Sequence, residues 1–242
     1  MKPCYALLAC DVFRDELTAL GGATPPWHHI EYLEMGLHDR PDELRQKLQA
    51  TITRLEADAN VEAIVLAYGR CGNGLLGIRA GRCPLVLPQA HDCISILLGG
   101  TEPHDALLRE NPGTYFYSPG WVREKRVPGP DREAYVREMY RARYADDPEM
   151  VDDLVEADAG AFAHNNCAAY VDLTNDQKAE NYCKDCARHL QWAYKRLPGD
   201  PTLLRDLLTG DWDESRYLHV APGHSIATDD QSRLISQAPC QP

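Results

Sequence analysis

Three cysteines and one histidine stand at the end of, or in the turn after, short apolar runs of this 242-residue sequence. The runs cover Tyr5–Cys10, Ala63–Ala67 and residues 85–87, and each has the length and character of a buried β-strand. The four side chains are those of Cys10, Cys71, His91 and Cys93. Thiolate and imidazole are the ligands that zinc prefers, in a tetrahedron with bonds of about 2.0–2.3 Å. These residues therefore predict a metal–thiolate site that holds zinc.

Other chemistries fit the same residues. Three thiolates with one open iron position would suit an iron–sulfur cluster. A metal-free nucleophilic thiol with His91 as its base is a second alternative. In a third, Cys10 and Cys71 are merely small buried residues.

The sequence His91-Asp92-Cys93 places a His-x-Cys pair in one turn. It resembles the zinc motif of thiol-alkylating methyltransferases. In such a site a zinc-bound thiol is deprotonated at neutral pH and stays nucleophilic enough to accept a methyl group. We expect Cys10 and Asp92 to be the catalytic residues, with Asp92 orienting His91 through a hydrogen bond.

A glycine-rich turn follows the second apolar run. The residues of this turn that could hold a cofactor are Gly69, Gly72, Asn73 and Gly74. Residues 72–77 also match the dinucleotide fingerprint G-x-G-x-x-G, with Asp92 about 20 residues after the first glycine. Little sequence remains for the crossover helix of such a site before Pro84. We therefore favour a turn that aims backbone N–H groups at a sulfur or an anionic ligand.

Predicted strands and helices alternate along the chain. Further strands are predicted at residues 29–33, 115–117, 168–173 and 217–220, and helices at residues 12–20, 41–59, 93–98, 104–109, 131–159, 176–196 and 203–208. This alternation is typical of an α/β protein with an open, mainly parallel sheet and helices on both faces. Ligands of such proteins bind beyond the carboxyl ends of the strands, so the active crevice is expected at that edge.

The chain length suits one domain at residues 1–228, with two sub-lobes at about 1–125 and 126–228 as the alternative. The polar tail at residues 229–242 is predicted to be loose. A net charge of −12 argues against a nucleic-acid partner. No apolar run approaches the roughly 20 residues that cross a bilayer, which argues against a membrane span.

Nine cysteines are many for such a protein. Because cytosolic thiols stay reduced, metal binding or catalysis explains them better than disulfides do, and a cytoplasmic location is expected. Cys183 and Cys186 lie on one apolar face of a predicted helix, which favours a structural role, although Cys167 could complete a second metal site with them. His28 and His29 form a polar pair with a smaller claim to ligand contact.

Several blocks of the sequence resemble domain-of-unknown-function family 1638 over about nine tenths of the chain. The blocks are residues 8–10, 66–75, 88–94, 97–99, 112–115, 117–121, 207–212 and 222–223. This resemblance implies a gene neighbourhood, because genes of this family are associated with one-carbon gene sets that include corrinoid-dependent methyltransferases. The resemblance implies methyl transfer, or support of such a methyltransferase, with a small molecule or a corrinoid protein as substrate.

Two other functions stay open at the level of sequence. One is a non-catalytic accessory protein that binds a cofactor or partner at the same residues. The other is a nucleotide-binding oxidoreductase that uses the turn at residues 72–77. Assembly into a homo-oligomer is open as well.

Overall fold

The computed structural model describes residues 4–21, 27–228 and 235–240. In chain order its strands are β1 (Tyr5–Cys10), β2 (Trp27–Leu33), β3 (Ala63–Ala67), β4 (Leu85–Pro88), β5 (Thr114–Tyr117), β6 (Cys167–Asp172), β7 (Ala193–Pro198), β8 (Tyr217–Val220), β9 (His224–Thr228) and β10 (Ile235–Pro239). Its α-helices are α1 (Arg14–Ala19), α2 (Pro41–Glu56), α3 (Cys93–Leu97), α4 (Thr101–Glu110), α5 (Pro119–Arg123), α6 (Arg132–Arg143), α7 (Pro148–Gly160), α8 (Gln177–Leu190) and α9 (Thr202–Thr209).

The chain divides into two compact units. Unit 1 comprises Met1–His104 and Asp200–Pro242, and unit 2 comprises Asp105–Gly199. The boundaries differ from the sub-lobe boundary near residue 125 that the sequence suggested. The reason is that the chain returns after residue 199 to add β8 to the first sheet. Unit 1 is therefore formed by an N-terminal and a C-terminal segment of the chain together.

Unit 1 is built on a five-stranded sheet with the order β2-β1-β3-β4-β8. The first four strands are parallel, and β8 runs antiparallel to β4 at the edge. Every residue of β3 is buried, as expected of a central parallel strand covered on both faces. A smaller antiparallel pair, β9 and β10, belongs to the same unit.

Helices cover both faces of this sheet. Pro41 starts α2, and Leu44, Leu48, Ile52 and Leu55 repeat at helical spacing along its buried face. They share one core cluster with alternate residues of β1, namely Ala6 and Leu8. The residues between these, Leu7 and Ala9, are equally buried and point to the other face, where α1 and α9 pack. Each fully buried leucine contributes roughly 1.5–3 kcal/mol.

Unit 2 is a three-stranded parallel sheet, β5-β6-β7, with α8 packed on β6. Cys183 and Cys186 of α8 are fully buried and lie in one core cluster with Tyr117 and Tyr170. Helices α6 and α7 form a pair held by a small valine cluster and by an ion pair of 2.7 Å between Arg132 and Asp158. Because they lie in this core cluster, Cys183 and Cys186 occupy ordinary core positions.

Three predicted elements differ from the structure. The predicted helix at 176–196 ends at Leu190, because Gln191 adopts a left-handed backbone conformation (φ 59°) and the chain continues as β7. The predicted helix at 131–159 is two helices, α6 and α7, and the second begins at Pro148. Residues 235–239 of the predicted loose tail form β10, with Ile235 buried. The rest of that tail lies outside the described residues, except for Cys240.

The fold class predicted from the sequence is confirmed, since the protein is mixed α/β with a mainly parallel sheet flanked by helices. Within the described residues, no helix combines the length and apolar character needed to cross a membrane.

Candidate functional site

The strand order of unit 1 brings the ends of three neighbouring strands to one edge. Strands β1, β3 and β4 are adjacent and parallel, so their carboxyl ends face the same way. Cys10 is the last residue of β1 and Cys71 begins a short 3-10 helix after β3. After β4 come His91 and then Cys93, which is the first residue of α3. The four residues predicted from sequence therefore lie at the strand ends of one edge or just after them.

Backbone hydrogen bonds tie the loops after β3 and β4 together. The N–H of Arg70 donates to the carbonyl of Ala90 (2.9 Å), and the N–H of Cys71 donates to the carbonyl of His91 (3.2 Å). Gly69 lies against the backbone of Asp92, where an added Cβ would be only 2.6 Å from the Asp92 Cα. A glycine at position 69 is thus required for the two loops to approach each other.

Burial and the neighbouring polar groups of this edge together determine the pKa of the Cys71 thiol. Burial is the largest influence on its thiol and raises the pKa from 9.0 to about 12, with further increases from Cys10 and Asp92. Backbone hydrogen bonds from Gly69 and Cys93 oppose this increase. Because burial prevails, Cys71 is a neutral thiol at pH 7, and a cation close by would be needed to hold it as a thiolate.

Tyr68 contributes a buried hydroxyl that sequence reasoning did not single out. Its side chain is 2% exposed, and the hydroxyl has no hydrogen-bond partner within the described part of the chain. Burial and then the charges of Cys10, Cys71 and Asp11 raise its pKa. An unpaired buried hydroxyl costs roughly 1–3 kcal/mol, so a ligand that pairs with it gains affinity. Its position directly after a buried strand was the available signal.

Asp92 divides its two carboxylate oxygens between two tasks. Its Oδ1 caps α3 by accepting from the N–H (2.8 Å) and the hydroxyl (2.9 Å) of Ser95. Its Oδ2 lies 3.2 Å from Nδ1 of His91 and 3.9 Å from Nε2 of His104. Burial raises the pKa of Asp92, but Ser95, His104 and His91 outweigh it and hold the pKa below its usual value. The carboxylate is therefore charged, and His91 keeps Nε2 for another ligand.

The donor atoms suit zinc in kind, but they are not at coordination distance. Zinc ligands in a tetrahedron lie roughly 3–4 Å apart, given the bond lengths. Among the described residues, the one group of three such side chains whose ligand atoms lie within 4.8 Å of one another is His28, His29 and Asp58. A zinc site at Cys10, Cys71, His91 and Cys93 therefore requires side-chain rotation, and it stays a prediction.

The glycine turn has structural tasks at two of its four candidate positions. Gly69 faces Asp92, as described above, and a Cβ at Gly74 would lie 2.6 Å from Leu44 of α2. Asn73 adopts a positive φ of 71° and accepts a hydrogen bond from Arg70 Nε (2.7 Å). No α-helix occurs between residues 71 and 92, all of which the structure describes. The helix N-terminus that a dinucleotide phosphate needs is thus missing after this turn.

Fold and site together define an α/β protein with thiol, imidazole and carboxylate groups at the carboxyl edge of a parallel sheet. The chain belongs to the family described as a protein of unknown function (DUF1638), whose match covers residues 32–208. That range includes Cys71, His91, Asp92 and Cys93, and Cys10 precedes it. Searches of curated proteins and of solved structures find no match.

Proposed function

We propose that the chain is a metal–thiolate protein of one-carbon metabolism, acting in methyl transfer or in support of a corrinoid-dependent methyltransferase. The observation that carries the proposal is the convergence of Cys10, Cys71 and the Asp92–His91 pair at one edge of the sheet. The one-carbon assignment comes from the resemblance to this family, which implies an association with corrinoid-dependent methyltransferases. A cytoplasmic location agrees with free thiols, since reduced cysteines persist there.

The side chains of this edge have separable roles in the proposal. Cys71, His91 and Cys93 would hold the metal, and the contact of Asp92 with His91 Nδ1 leaves Nε2 as the ligand atom of that ring. A zinc ion bound here keeps a coordinated thiol deprotonated and nucleophilic at neutral pH. The N–H groups of Gly69 and Cys93 stabilise negative charge on the Cys71 sulfur. The Tyr68 hydroxyl donates a hydrogen bond to the substrate that enters the site.

Metal analysis of protein purified without oxygen tests the proposal. We expect zinc in stoichiometric amount and a colourless protein, and at least about a tenfold loss of affinity at this site in Cys71→Ser. Brown protein that contains iron and sulfide would identify the iron–sulfur alternative. The matched control is the double variant Cys183→Ala/Cys186→Ala, since both residues belong to the core of unit 2. Unchanged zinc affinity at this site in Cys71→Ser, or affinity lost only in the control, would refute the assignment.

Cys10 distinguishes an open metal site from a closed one. A site that activates an incoming thiol keeps one coordination position free, whereas four protein ligands close a structural site. We expect Cys10→Ser to retain its metal and Cys93→Ser to lose it. Equal loss from the two variants would indicate a closed site and would favour the non-catalytic accessory protein.

A further inference from the structure

A β-bulge at the start of β2 places two adjacent imidazoles on the same side. Tyr5 of β1 pairs with Trp27, but the next residue, Ala6, pairs with His29, so that His28 is an extra residue in β2. Consecutive side chains of a regular strand point to opposite faces, and a bulge changes their direction locally. The rings of His28 and His29 stand nearly perpendicular, with centroids 4.5 Å apart.

One carboxylate oxygen faces both imidazoles. Asp58 follows α2, and its Oδ2 lies 2.8 Å from Nε2 of His28 and 3.2 Å from Nε2 of His29. The other oxygen, Oδ1, accepts hydrogen bonds from the N–H (3.0 Å) and the side-chain amide (2.9 Å) of Asn60. Asn60 thus fixes the carboxylate so that Oδ2 points at the two rings.

The loop that carries Asp58 is held by a guanidinium group. Arg82 Nη2 donates to the carbonyls of Asp58 (2.7 Å) and Val61 (2.9 Å), and its Nε donates to the carbonyl of Glu56 (2.9 Å). The site therefore offers a carboxylate in a fixed position.

We propose that His28, His29 and Asp58 bind a divalent transition metal, with zinc the best fit. Their three ligand atoms lie within 4.8 Å of one another. Two imidazole nitrogens and one carboxylate oxygen are a donor set of open zinc sites, in which water or a substrate occupies the remaining position. The three side chains are partly exposed, so an ion can enter from solvent. The site is at the amino ends of β1 and β3, the opposite end of the sheet from the thiols.

Zinc at this site replaces protons. Without metal, each Nε2 must carry a proton to donate to the shared Asp58 oxygen. Zinc binds only an unprotonated nitrogen, so the Nε2 proton moves to Nδ1 in a neutral ring or leaves a doubly protonated one, and binding weakens as the pH falls. The hydrogen-bonded cluster and the metal site are therefore two states of the same three side chains.

Calorimetric titration of the full-length, metal-stripped chain with zinc tests the proposal. We expect His28→Gln/His29→Gln to bind one equivalent less than the wild type, and Asp58→Asn to bind that equivalent at least about tenfold more weakly. His38→Gln is the matched control, because His38 is also paired with one carboxylate (Asp39, 3.2 Å) but has no second imidazole in that pair. Cys71→Ser should keep this equivalent, which separates it from any metal held by the thiols.

A spectrum of the wild-type protein provides a second test that does not depend on whether the variants fold. In proton–nitrogen correlation spectra of the imidazoles, zinc should shift the Nε2 signals of His28 and His29 and leave His38 unchanged. Unshifted Nε2 signals, or an unchanged number of zinc equivalents in a folded double variant, would overturn the proposal.

Discussion

The smallest residue of the candidate site determines how closely its loops can approach. Gly69 leaves room for the backbone of Asp92, and nothing flexible stands at the point of contact, since the nearest atoms are Asp92 Cα, C and N at 2.6–2.8 Å from an added Cβ. Flexible side chains can move away from an extra methyl group, whereas a paired backbone cannot. The position of Asp92, and with it that of His91, depends on this glycine.

Gly69→Ala should therefore destabilise the protein. We expect the free energy of unfolding to fall by about 1–3 kcal/mol, as in other overpacked interiors, and zinc binding by the thiol edge to weaken with it. Gly160→Ala is the control, because Gly160 ends α7 and an added Cβ there meets nothing within 4 Å. Urea denaturation of both variants measures the difference. Equal stability of the two variants would show that the loops separate easily.

Helix α3 joins the site to the fold through its cap. Asp92 is the N-cap residue of this helix. One of its carboxylate oxygens caps the helix, and the other faces His91 and His104. A helix of five residues depends strongly on such a cap, because few internal hydrogen bonds hold it together. One side chain therefore serves the element and the chemistry together.

Two substitutions of Asp92 separate these roles. Asn caps helices as well as Asp does, so Asp92→Asn should keep its stability within about 0.5 kcal/mol, while Asp92→Ala should lose about 1 kcal/mol. Both variants lose the carboxylate beside His91, and we expect both to bind zinc at the thiol edge more weakly. Thermal unfolding and metal titration provide the two measurements. Unchanged zinc affinity in Asp92→Asn would show that the carboxylate takes no part in metal binding.

The elements that the sequence predicts well are those with a strong local pattern. Ala63–Ala67 is an uninterrupted apolar run, and α2 combines Pro41 with four buried aliphatic residues at helical spacing. Strand β7 was missed because its side chains are mostly exposed and include Lys195 and Arg196, which favour helices. Strands β9 and β10 were missed because they are short, have little apolar pattern and pair with each other.

The candidate site follows the same division. Strand order places Cys10, Cys71, His91 and Cys93 at one edge of the sheet, because the ends of neighbouring parallel strands meet. Sequence distance misleads here, since β1 is far from β3 along the chain yet pairs with it directly. The unpaired Tyr68 hydroxyl, the approach of His104 and the bulge at His28 depend on three-dimensional packing, which a spacing pattern does not contain.

At the scale of the whole molecule, each unit has a core of its own. Unit 2 is a continuous segment, Asp105–Gly199, with a buried cluster between its sheet and α8. We expect this segment, expressed alone, to unfold cooperatively in denaturant, with a near-ultraviolet circular dichroism signal from its packed tyrosines. A broad transition without that signal would mean that the segment lacks an independent core.

The antiparallel edge strand of unit 1 has a consequence for synthesis on the ribosome. Leu85 of β4 pairs with Val220 of β8, so the whole of unit 2 is translated between the two partners. Until β8 emerges, the nascent chain exposes one side of β4 as an unpaired, strongly apolar edge. Unit 2, which is one continuous segment, can fold during that interval. Chaperone dependence and aggregation of truncated chains should therefore arise from unit 1, the part of the protein whose translation begins first and whose sheet is completed last.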